Sequence, residues 1–591
     1  MSEVFDDSRR LTGINLYFPA TGAALETVGI AVDASLVLRW QANLAAARQA
    51  LGWPAEAVVA RLHAAGASLA MAAPPDQLYA ATEVNEWALE AALGERLPPA
   101  ARRYAPGHAA AWDPDQALPT LRAAAAAEAC PRLAALLRQA AARGLPALLD
   151  DDAITLGEGT GGRTWPRPAL PAVDEVDWDA LAAIPVALVT GSNGKTTTTR
   201  LVAAMTAAHG WITGASSTDG VVVAGETIES GDYSGPGGAR AVLRDRRVQA
   251  AVLETARGGL LRRGLAVAGV QAAIVTNISA DHFGEYGIHD LDDLADTKLV
   301  VAGALAAGGV LVLNAEDPLL RARAPAGTRR LAWFALDADH PLLAAQRARH
   351  LPACGVRAGR LLLSLAGADH DLGAVDAMPL SVQGHARYNV ANITGAALLA
   401  ALLGVPPATI AAVLARFGGT NTDNAGRLMR WSFGPTQTWL DYAHNPAGLE
   451  GLIAVAQAAR GPDGRLALVL GQAGNREDAD IRALASIAAR FAPDLVVLKD
   501  IESYLRGRAS GQIAAILRDQ LLHDGLADGA IHTCLDEVEA ARVVLRWARP
   551  GDALVLPIHD AAARTAVIAL LDRLATEGWR PGRPLPGEAA A

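Results

Sequence analysis

One stretch limits what this chain can become more than any other: Val186-Ala-Leu-Val-Thr-Gly-Ser-Asn-Gly-Lys-Thr-Thr-Thr-Thr199. The run Val186 to Val189 has the character of a buried strand. A glycine-bracketed turn follows, Gly191-Ser-Asn-Gly194, then Lys195 and Thr196, and from Thr197 the text becomes helical. A strand, a glycine turn and a helix in that order hold a phosphate. The glycines let the backbone wrap closely with its N–H groups pointing inward, and the helix N-terminus adds positive potential. Lys195 supplies a point charge for the β- and γ-phosphates, and the Thr196 hydroxyl is a ligand for Mg²⁺. Only Gly-x-x-Gly-Lys-Thr is present, because Val189 stands where the general motif has its first glycine.

Such a turn needs a parallel sheet around it, and the rest of the chain supplies the strands. Val248-Gln-Ala-Ala-Val-Leu253 ends in Glu254, Val270-Gln-Ala-Ala-Ile-Val275 leads to Asp281-His282, and Gly309-Val-Leu-Val-Leu-Asn314 leads to Asp317. Strands alternating with helices imply a mostly parallel α/β sheet whose ligands sit at the carboxyl ends of the strands. Thr196, Glu254 and His282 form an oxygen and nitrogen set suited to Mg²⁺. A second alternation begins near Gly426 and carries Arg427, Asp441 and His444, placed to close over the nucleotide from the other side; His444 serves equally well as a brace of the Asp441 turn. Two lobes that shut on ATP suit a reaction whose intermediate water would destroy.

A chain of 591 residues suggests three or four domains. We divide it into an N-terminal α+β domain with its linker (1–170), a P-loop-type central domain (171–420) and a C-terminal Rossmann-like α/β domain (421–591). In the first part, Leu11 to Pro19 reads as a strand ending in a turn, while Gln41 to Ala65 and Leu121 to Arg143 have helical spacing. Leu156 to Pro166 reads as a glycine-rich linker. Tyr79, Trp87, Trp112 and Trp165 form either a ligand surface or internal packing.

The net charge of −10, without a long Lys/Arg block, argues against a nucleic acid or an anionic membrane as partner. Cys130, Cys354 and Cys534 are too far apart for a zinc site or a disulfide framework. No apolar run of 18 residues and no leader-like start is visible, so the expectation is a cytoplasmic protein.

Several motifs occur in order: Thr190-Gly-Ser-Asn-Gly-Lys-Thr-Thr, Leu253-Glu-Thr-Ala-Arg-Gly-Gly, Thr276-Asn-Ile-Ser-Ala-Asp-His, Arg387-Tyr-Asn-Val-Ala-Asn392, Gly426-Arg427 and Asp441-Tyr-Ala-His-Asn-Pro446. Together they resemble the Mur ligase family, and within it the Mur-ligase-like half of the cyanophycin synthetases. Ser217-Thr-Asp-Gly, Gly231-Asp-Tyr-Ser-Gly-Pro236 and Arg506-Gly-Arg508 share the latter resemblance.

The resemblance implies an ATP-dependent, ADP-forming ligase that activates a carboxylate as an acyl phosphate and passes it to an amine. It also implies that Gly191, Asn193, Gly194, Lys195, Thr196 and Thr197 hold the phosphates and Mg²⁺. Glu254 and His282 would be metal ligands. Asn389 and Asn392 would lie near the adenine, with Arg427 and Asp441 on the nucleotide. Lys298 falls where these ligases carry a carbamylated lysine that binds a second Mg²⁺; its spacing alone reads as a solvated helix lysine.

Asp232, Arg257, Arg506 and Arg508 are candidates for the substrate. The arginines are also readable as surface or loop residues, since a fork that grips a carboxylate and a solvated cation look alike in sequence. The expected partners are an amino acid and an acidic peptide or amino-acid acceptor, with a possible homo-oligomer. The first domain resembles that of cyanophycin synthetases, but the chain passes almost at once to Ile184 without the ATP-grasp ligase. Only one amide-forming activity is then expected. A γ-glutamyl ligase of the folylpolyglutamate type and a non-ligating ATP-binding subunit are the alternatives.

Overall fold

The computed structural model describes residues 4–94, 116–280, 283–325 and 330–586. The phosphate-loop strand Val186–Thr190 lies within an eleven-stranded sheet and is buried at every position, as its unbroken apolar run requires. Parallel neighbours flank it on both sides, Ala250–Glu254 and Val270–Val275. Parallel pairing continues outward to Thr213–Ser217 on one side and through Leu305–Asn314 and Arg330–Phe334 to Ala353–Arg357 on the other. Antiparallel strands finish both edges: Gly220–Val223 and Glu226–Ser230 at one, Arg360–Leu365 and Ala368–Ala374 at the other.

The helices Lys195–Ala208 and Arg387–Leu402 pack on one face of this sheet. The second is apolar nearly all round, and it comes close because Gly395 lies against Ile274 and Phe334, where a β-carbon would crowd both. Each fully buried Leu or Ile there contributes about 1.5–3 kcal/mol.

A second sheet of six strands runs in the order Met429–Phe433, Thr436–Asp441, Ala553–Pro557, Leu466–Leu470, Leu495–Leu498, Ile531–Thr533. All pairs after the first are parallel. The fold class is therefore α/β with two mostly parallel sheets, preceded by a smaller antiparallel unit. In that unit Phe5–Leu11, Gly22–Thr27, Gly66–Ala72 and Val58–His63 lie in that order, backed by the helices Ala34–Leu51 and Leu78–Leu93. Its core is pinned by Trp40, fully buried, whose indole N–H donates to Asn85 Oδ1 at 3.0 Å.

The first 180 residues depart from the sequence reading in four places. The first strand is Phe5–Leu11, ahead of Leu11 to Pro19, which forms the turn instead: Asn15 Oδ1 accepts from Tyr17 and Phe18 N–H and breaks the pairing. The helix expected over 41–65 begins at Ala34, capped by Asp33, and ends at Gly52; Val58–His63 is a strand. The β-branched pair Val58-Val59 beyond a glycine and Pro54 carries the signal that alanine richness obscured. Leu121 to Arg143 is two helices, Ala117–Glu128 and Pro131–Ala142, separated at the proline. The expected linker is folded: Ala147–Leu149, Ala153–Leu156 and Arg163–Pro166 form a three-stranded sheet with a core of Leu133, Leu136, Ile154, Leu156 and Leu181. Its glycines serve contact rather than flexibility. A β-carbon on Gly159 would strike the Val248 carbonyl, to which Thr160 N–H donates at 2.9 Å.

Trp87 and Trp165 pack against cores and Tyr79 is exposed; Trp112 lies outside the described residues. The three cysteines are free thiols. Among the described residues no helix is long and apolar enough to cross a membrane.

Candidate functional site

The carboxyl edge of the large sheet faces the carboxyl edge of the small one, and the candidate residues gather between them. Gly191 and Gly194 both have positive φ, +146° and +82°. A β-carbon on Gly191 would overlap the Thr276 hydroxyl, and one on Gly194 the Asn392 amide, so glycine is required at each by space as well as by conformation.

The tail of the neighbouring strand moulds the turn. Asn193 N–H donates to Asn277 Oδ1 at 2.9 Å, and the Thr276 hydroxyl and Asn277 Nδ2 both donate to the Asn193 carbonyl, at 2.6 and 3.0 Å. Asn314 and Asp317 brace that tail from the next strand: Asn314 Nδ2 donates to the Thr276 carbonyl at 3.1 Å, and Asp317 Oδ2 accepts from Ile278 N–H at 2.6 Å.

The helix Lys195–Ala208 starts from this turn with Gly194 as its cap residue and no side chain on its first N–H groups. Those groups and the helix dipole face the turn, which is a cradle for an anion. The Lys195 ammonium folds over it, donating to the carbonyls of Gly191 and Ser192 at 3.0 and 2.9 Å. Lys298, 2% exposed, arrives from the helix Leu291–Leu299 and donates to the same Gly191 carbonyl at 2.9 Å. Thr196 Oγ1 donates to Glu254 Oε2 at 2.9 Å, and the other oxygen of this buried carboxylate accepts from Thr218 Oγ1 at 2.8 Å. Lys195, Thr196, Glu254 and Lys298 thus converge on one turn. His282 and its neighbour Asp281 lie outside the described residues.

The smaller lobe reaches across at several points. Asn445 caps the helix Pro446–Ala458 through Oδ1, which accepts from Gly448 N–H at 2.9 Å, while its Nδ2 donates to Asn193 Oδ1 at 2.9 Å. Arg427 Nη2 lies 3.5 Å from Thr196 Oγ1 and 3.7 Å from Asp219. Asp219 also holds Arg200 from the phosphate-loop helix at 2.9 Å and Arg564 from the C-terminal lobe at 3.4 Å. Arg427 and Arg564 both lie over the Tyr442 ring, at 4.7 and 5.3 Å from its centre.

Asp441 is half-buried and accepts from Leu428 N–H at 2.6 Å. Burial pushes its carboxyl above the ordinary range, and Arg427 pulls the other way. His444 Nδ1 sits 3.1 Å from the Tyr442 carbonyl, and the His444 carbonyl accepts from Gln472 at 2.9 Å, which braces the turn.

Asn389 and Asn392 stack at the start of their helix, with Asn392 Nδ2 donating to Asn389 Oδ1 at 3.1 Å. Asn389 donates to the Leu380 carbonyl at 3.2 Å. Leu380 is in the wall of a polar cavity of about 140 Å³ that Val382, Asn424, Arg427, Arg430 and Trp439 also line. Thr197 accepts from Asn424 Nδ2 at 3.2 Å.

The four substrate candidates do not gather there as free groups. Asp232 is exposed and holds its own turn, accepting from Ser234 N–H and Oγ at 3.0 and 2.6 Å. Arg257 is buried and pairs with Glu285 at 2.6 Å. Arg508 donates to the carbonyls of Gly474 and Arg476 and pairs with Asp478 at 2.8 Å, so it ties a loop. Arg506 is exposed and rests over Tyr504.

Under the 441–446 turn lies a buried polar cluster that sequence reading passed over. The Lys499 ammonium pairs with Glu537 and lies 3.0 Å from His559 Nδ1, while His559 Nε2 is 2.9 Å from the Ala443 carbonyl. Burial and the neighbouring ammonium push the His559 imidazole well below its usual range, so the ring is neutral. With its proton on Nε2, donated to Ala443, Nδ1 is free to accept from Lys499.

The Mur ligase middle domain family matches residues 189–400, and the family "Mur ligase, glutamate ligase domain" matches residues 426–557. The cyanophycin synthetase of Trichormus variabilis is 33% identical over 405 residues, 68% of this chain and 44% of that protein. The UDP-N-acetylmuramoyl-L-alanyl-D-glutamate–2,6-diaminopimelate ligase of Chlorobaculum tepidum is 28% identical over 62% of this chain and 70% of its own length. Among solved structures, E. coli FolC in complex with DHPP and ADP aligns with a TM-score of 0.47 at 17% identity, covering 66% of this chain and 89% of that one. The chain spans less than half the length of the curated cyanophycin synthetases it matches.

Proposed function

Since this chain belongs to the Mur ligase family, we propose that it is an ATP-dependent, ADP-forming amide ligase that joins an amino acid to an acidic peptide or amino-acid carboxylate. One observation carries the reading. The lysines 195 and 298 meet at a single carbonyl of a phosphate-shaped turn, Thr196 and Glu254 are bonded beside them, and Arg427 and Asn445 arrive from the opposite lobe. A turn that merely joined a strand to a helix would need none of these.

In this proposal the N–H groups at the start of the Lys195–Ala208 helix and the Lys195 ammonium bind the triphosphate. The base occupies the cavity between Leu380 and Trp439, with Asn389 behind its wall and Asp441 beside Arg427. The donor set fits Mg²⁺, because a hydroxyl and a buried carboxylate are hard oxygen ligands that need a cation between them once they separate. Thr196, Glu254 and His282 would hold a first ion, and Lys298, as its carbamate, a second; the ions supply neutralisation of phosphate charge.

This chain's own residues do the rest. Arg427 lays positive charge along the departing phosphate, and Asn445 sets the distance between the lobes. Closure keeps water from an acyl phosphate until the amine attacks it. Positioning and charge stabilisation account for most of the acceleration. Residues 171–420 would bind nucleotide and 421–591 would close on it, with Arg506 the exposed candidate for a substrate carboxylate. We assign the protein to the cytoplasm on the same grounds.

The test is ADP and phosphate release by purified protein with each of twenty amino acids against aspartyl and glutamyl acceptors, including a γ-glutamyl one. Release that needs both acid and amine, with a new amide seen by mass spectrometry, is the expected result. Release indifferent to both, with no amide, would show an ATPase and overturn the proposal.

A further inference from the structure

We propose that the antiparallel N-terminal domain braces the helix that delivers Lys298, so that Arg61 and His63 are positioning residues for the metal–nucleotide site. This rests on the reading above that Lys298 serves that site.

The strand Val58–His63 is at the edge of its sheet, and its end meets the central domain. Arg61 pairs with Asp293, in the first turn of the helix Leu291–Leu299. The other oxygen of Asp293 accepts from His289 N–H at 2.8 Å, which ties the helix to the turn before it. The His63 and His289 rings are 5.0 Å apart between centres, with Nδ1 of the first 3.2 Å from Nε2 of the second. The turn fits only because Gly287, at φ +68°, has no side chain: a β-carbon there would run into the His63 ring and the Ser68 hydroxyl.

Behind this contact the domain is stiff. Glu26, 9% exposed, accepts from Arg9 at 2.7 Å and from Ser68 at 2.6 Å, and Arg9 reaches the Leu261 carbonyl at 2.9 Å. Backbone bonds seal the seam: Thr12 N–H to the Arg263 carbonyl and Leu265 N–H to the Ile14 carbonyl, at 2.8 and 2.7 Å.

Lys298 lies five residues beyond Asp293, about 7.5 Å along the helix axis, and its ammonium ends 2.9 Å from the Gly191 carbonyl. One rigid element of nine residues therefore links the first domain's edge strand to the phosphate loop. Partly buried ion pairs add little net stability, so a paired Arg61 and Asp293 make better sense as a register for this helix than as glue. Displacements of about 1 Å at a reacting centre cost on the order of a hundredfold in rate.

The experiment uses the full chain. Mg-ATP affinity is measured by calorimetry for the unaltered protein, Arg61→Ala, Arg61→Lys and Lys298→Ala, and for Arg61→Ala combined with Lys298→Ala. The expected result is a loss of about tenfold or more in Arg61→Ala, most of it regained in Arg61→Lys, and no further loss when Arg61→Ala is added to Lys298→Ala. Turnover should fall in kcat while the acceptor KM stays unchanged. An equal loss in both backgrounds, or an effect confined to the acceptor KM, would overturn the brace and make this domain a substrate-capture unit. Should Arg61→Ala not fold, Asp293→Asn reads the same contact while keeping an acceptor for His289 N–H. An unaltered protein that fails to bind Mg-ATP would sink the functional reading; normal binding in it and in Arg61→Ala alike would sink only the brace.

Discussion

Replacing Glu537 with leucine is the sharpest test of how the C-terminal lobe holds its catalytic edge. The side chains of Lys499 and Glu537 are 0% and 4% exposed. Glu537 accepts not only from the ammonium but also from His559 and Asp560 N–H, at 3.0 and 2.9 Å. Glu537→Leu therefore leaves a buried cation without its counter-ion and two amides without an acceptor. The first term is about 3–5 kcal/mol and each amide adds about 1 kcal/mol, for a total of about 5–7 kcal/mol. Lys499→Met is milder, about 2 kcal/mol, because Glu537 keeps both amide donors.

The assay is amide hydrogen exchange in the strands Leu495–Leu498 and Ala553–Pro557, since one global unfolding energy is ill-defined for a multidomain chain. At about 1.4 kcal/mol per decade, Glu537→Leu should speed exchange there by roughly four to five orders of magnitude. The pH dependence has a definite sign. Burial holds the Lys499 pKa below its ordinary 10.5, so in that window the unfolded chain binds more protons and stability rises with pH. The Glu537→Leu deficit should shrink as pH climbs from 7 toward 10. Equal effects of the two single substitutions, or a Glu537→Leu deficit that ignores pH, would show that an unpaired ammonium is not its source.

Further outcomes are expected elsewhere. Lys195→Ala should abolish turnover, and Lys298→Ala should be partly rescued by short carboxylic acids, as an activity assay with added acetate or formate would show; full activity of Lys298→Ala without additives would refute the carbamate. Gly194→Ala should destroy Mg-ATP binding in calorimetry and also lower the melting temperature, because the added methyl meets the Asn392 amide inside the turn and the residue must keep a positive φ. Asn445→Ala should lose the inter-lobe bond and its helix cap, which costs about 1 kcal/mol, and should raise the KM for ATP several-fold. Glu158, 3% exposed, has its carboxyl pushed up to about 7 by burial. A raised carboxyl binds its proton more tightly in the folded state, so stability falls as pH rises from about 4.5 through 7; Glu158→Gln should remove that slope in melting curves.

The central sheet was legible because its strands are uninterrupted apolar runs, and the phosphate turn because glycines and a lysine have a fixed spacing. Thr196, Glu254 and Lys298 lie together because each follows a strand or rides a helix that ends at one edge. Other features had no local signal. Arg564 lies 345 positions from Asp219, and nothing near it in sequence differs from a surface helix arginine. Arg508 reads equally as a fork for a substrate carboxylate and as a solvated loop residue, whereas its partners are loop carbonyls 34 and 32 positions away. Asn445 was readable in principle, since an asparagine before a proline marks a helix start; that its amide also faces Asn193 depends on how the lobes meet. The folded segment at 147–166 was hidden by glycines that serve close contact rather than freedom.

The gathering of Arg200, Arg427 and Arg564 around the single carboxylate of Asp219 has a physiological corollary. Three cations from the two lobes crowd this carboxylate, with Asp441 a second anion acting on Arg427, so the resting pincer carries a positive surplus that a passing polyanion can discharge. Ambient ions compete for that surplus, and at 0.15 M they screen charges over about 8 Å. The grip between the halves should accordingly slacken in brine and tighten in dilute buffer, which makes the cell's own ionic strength a silent tuner of how often the jaws stand ready.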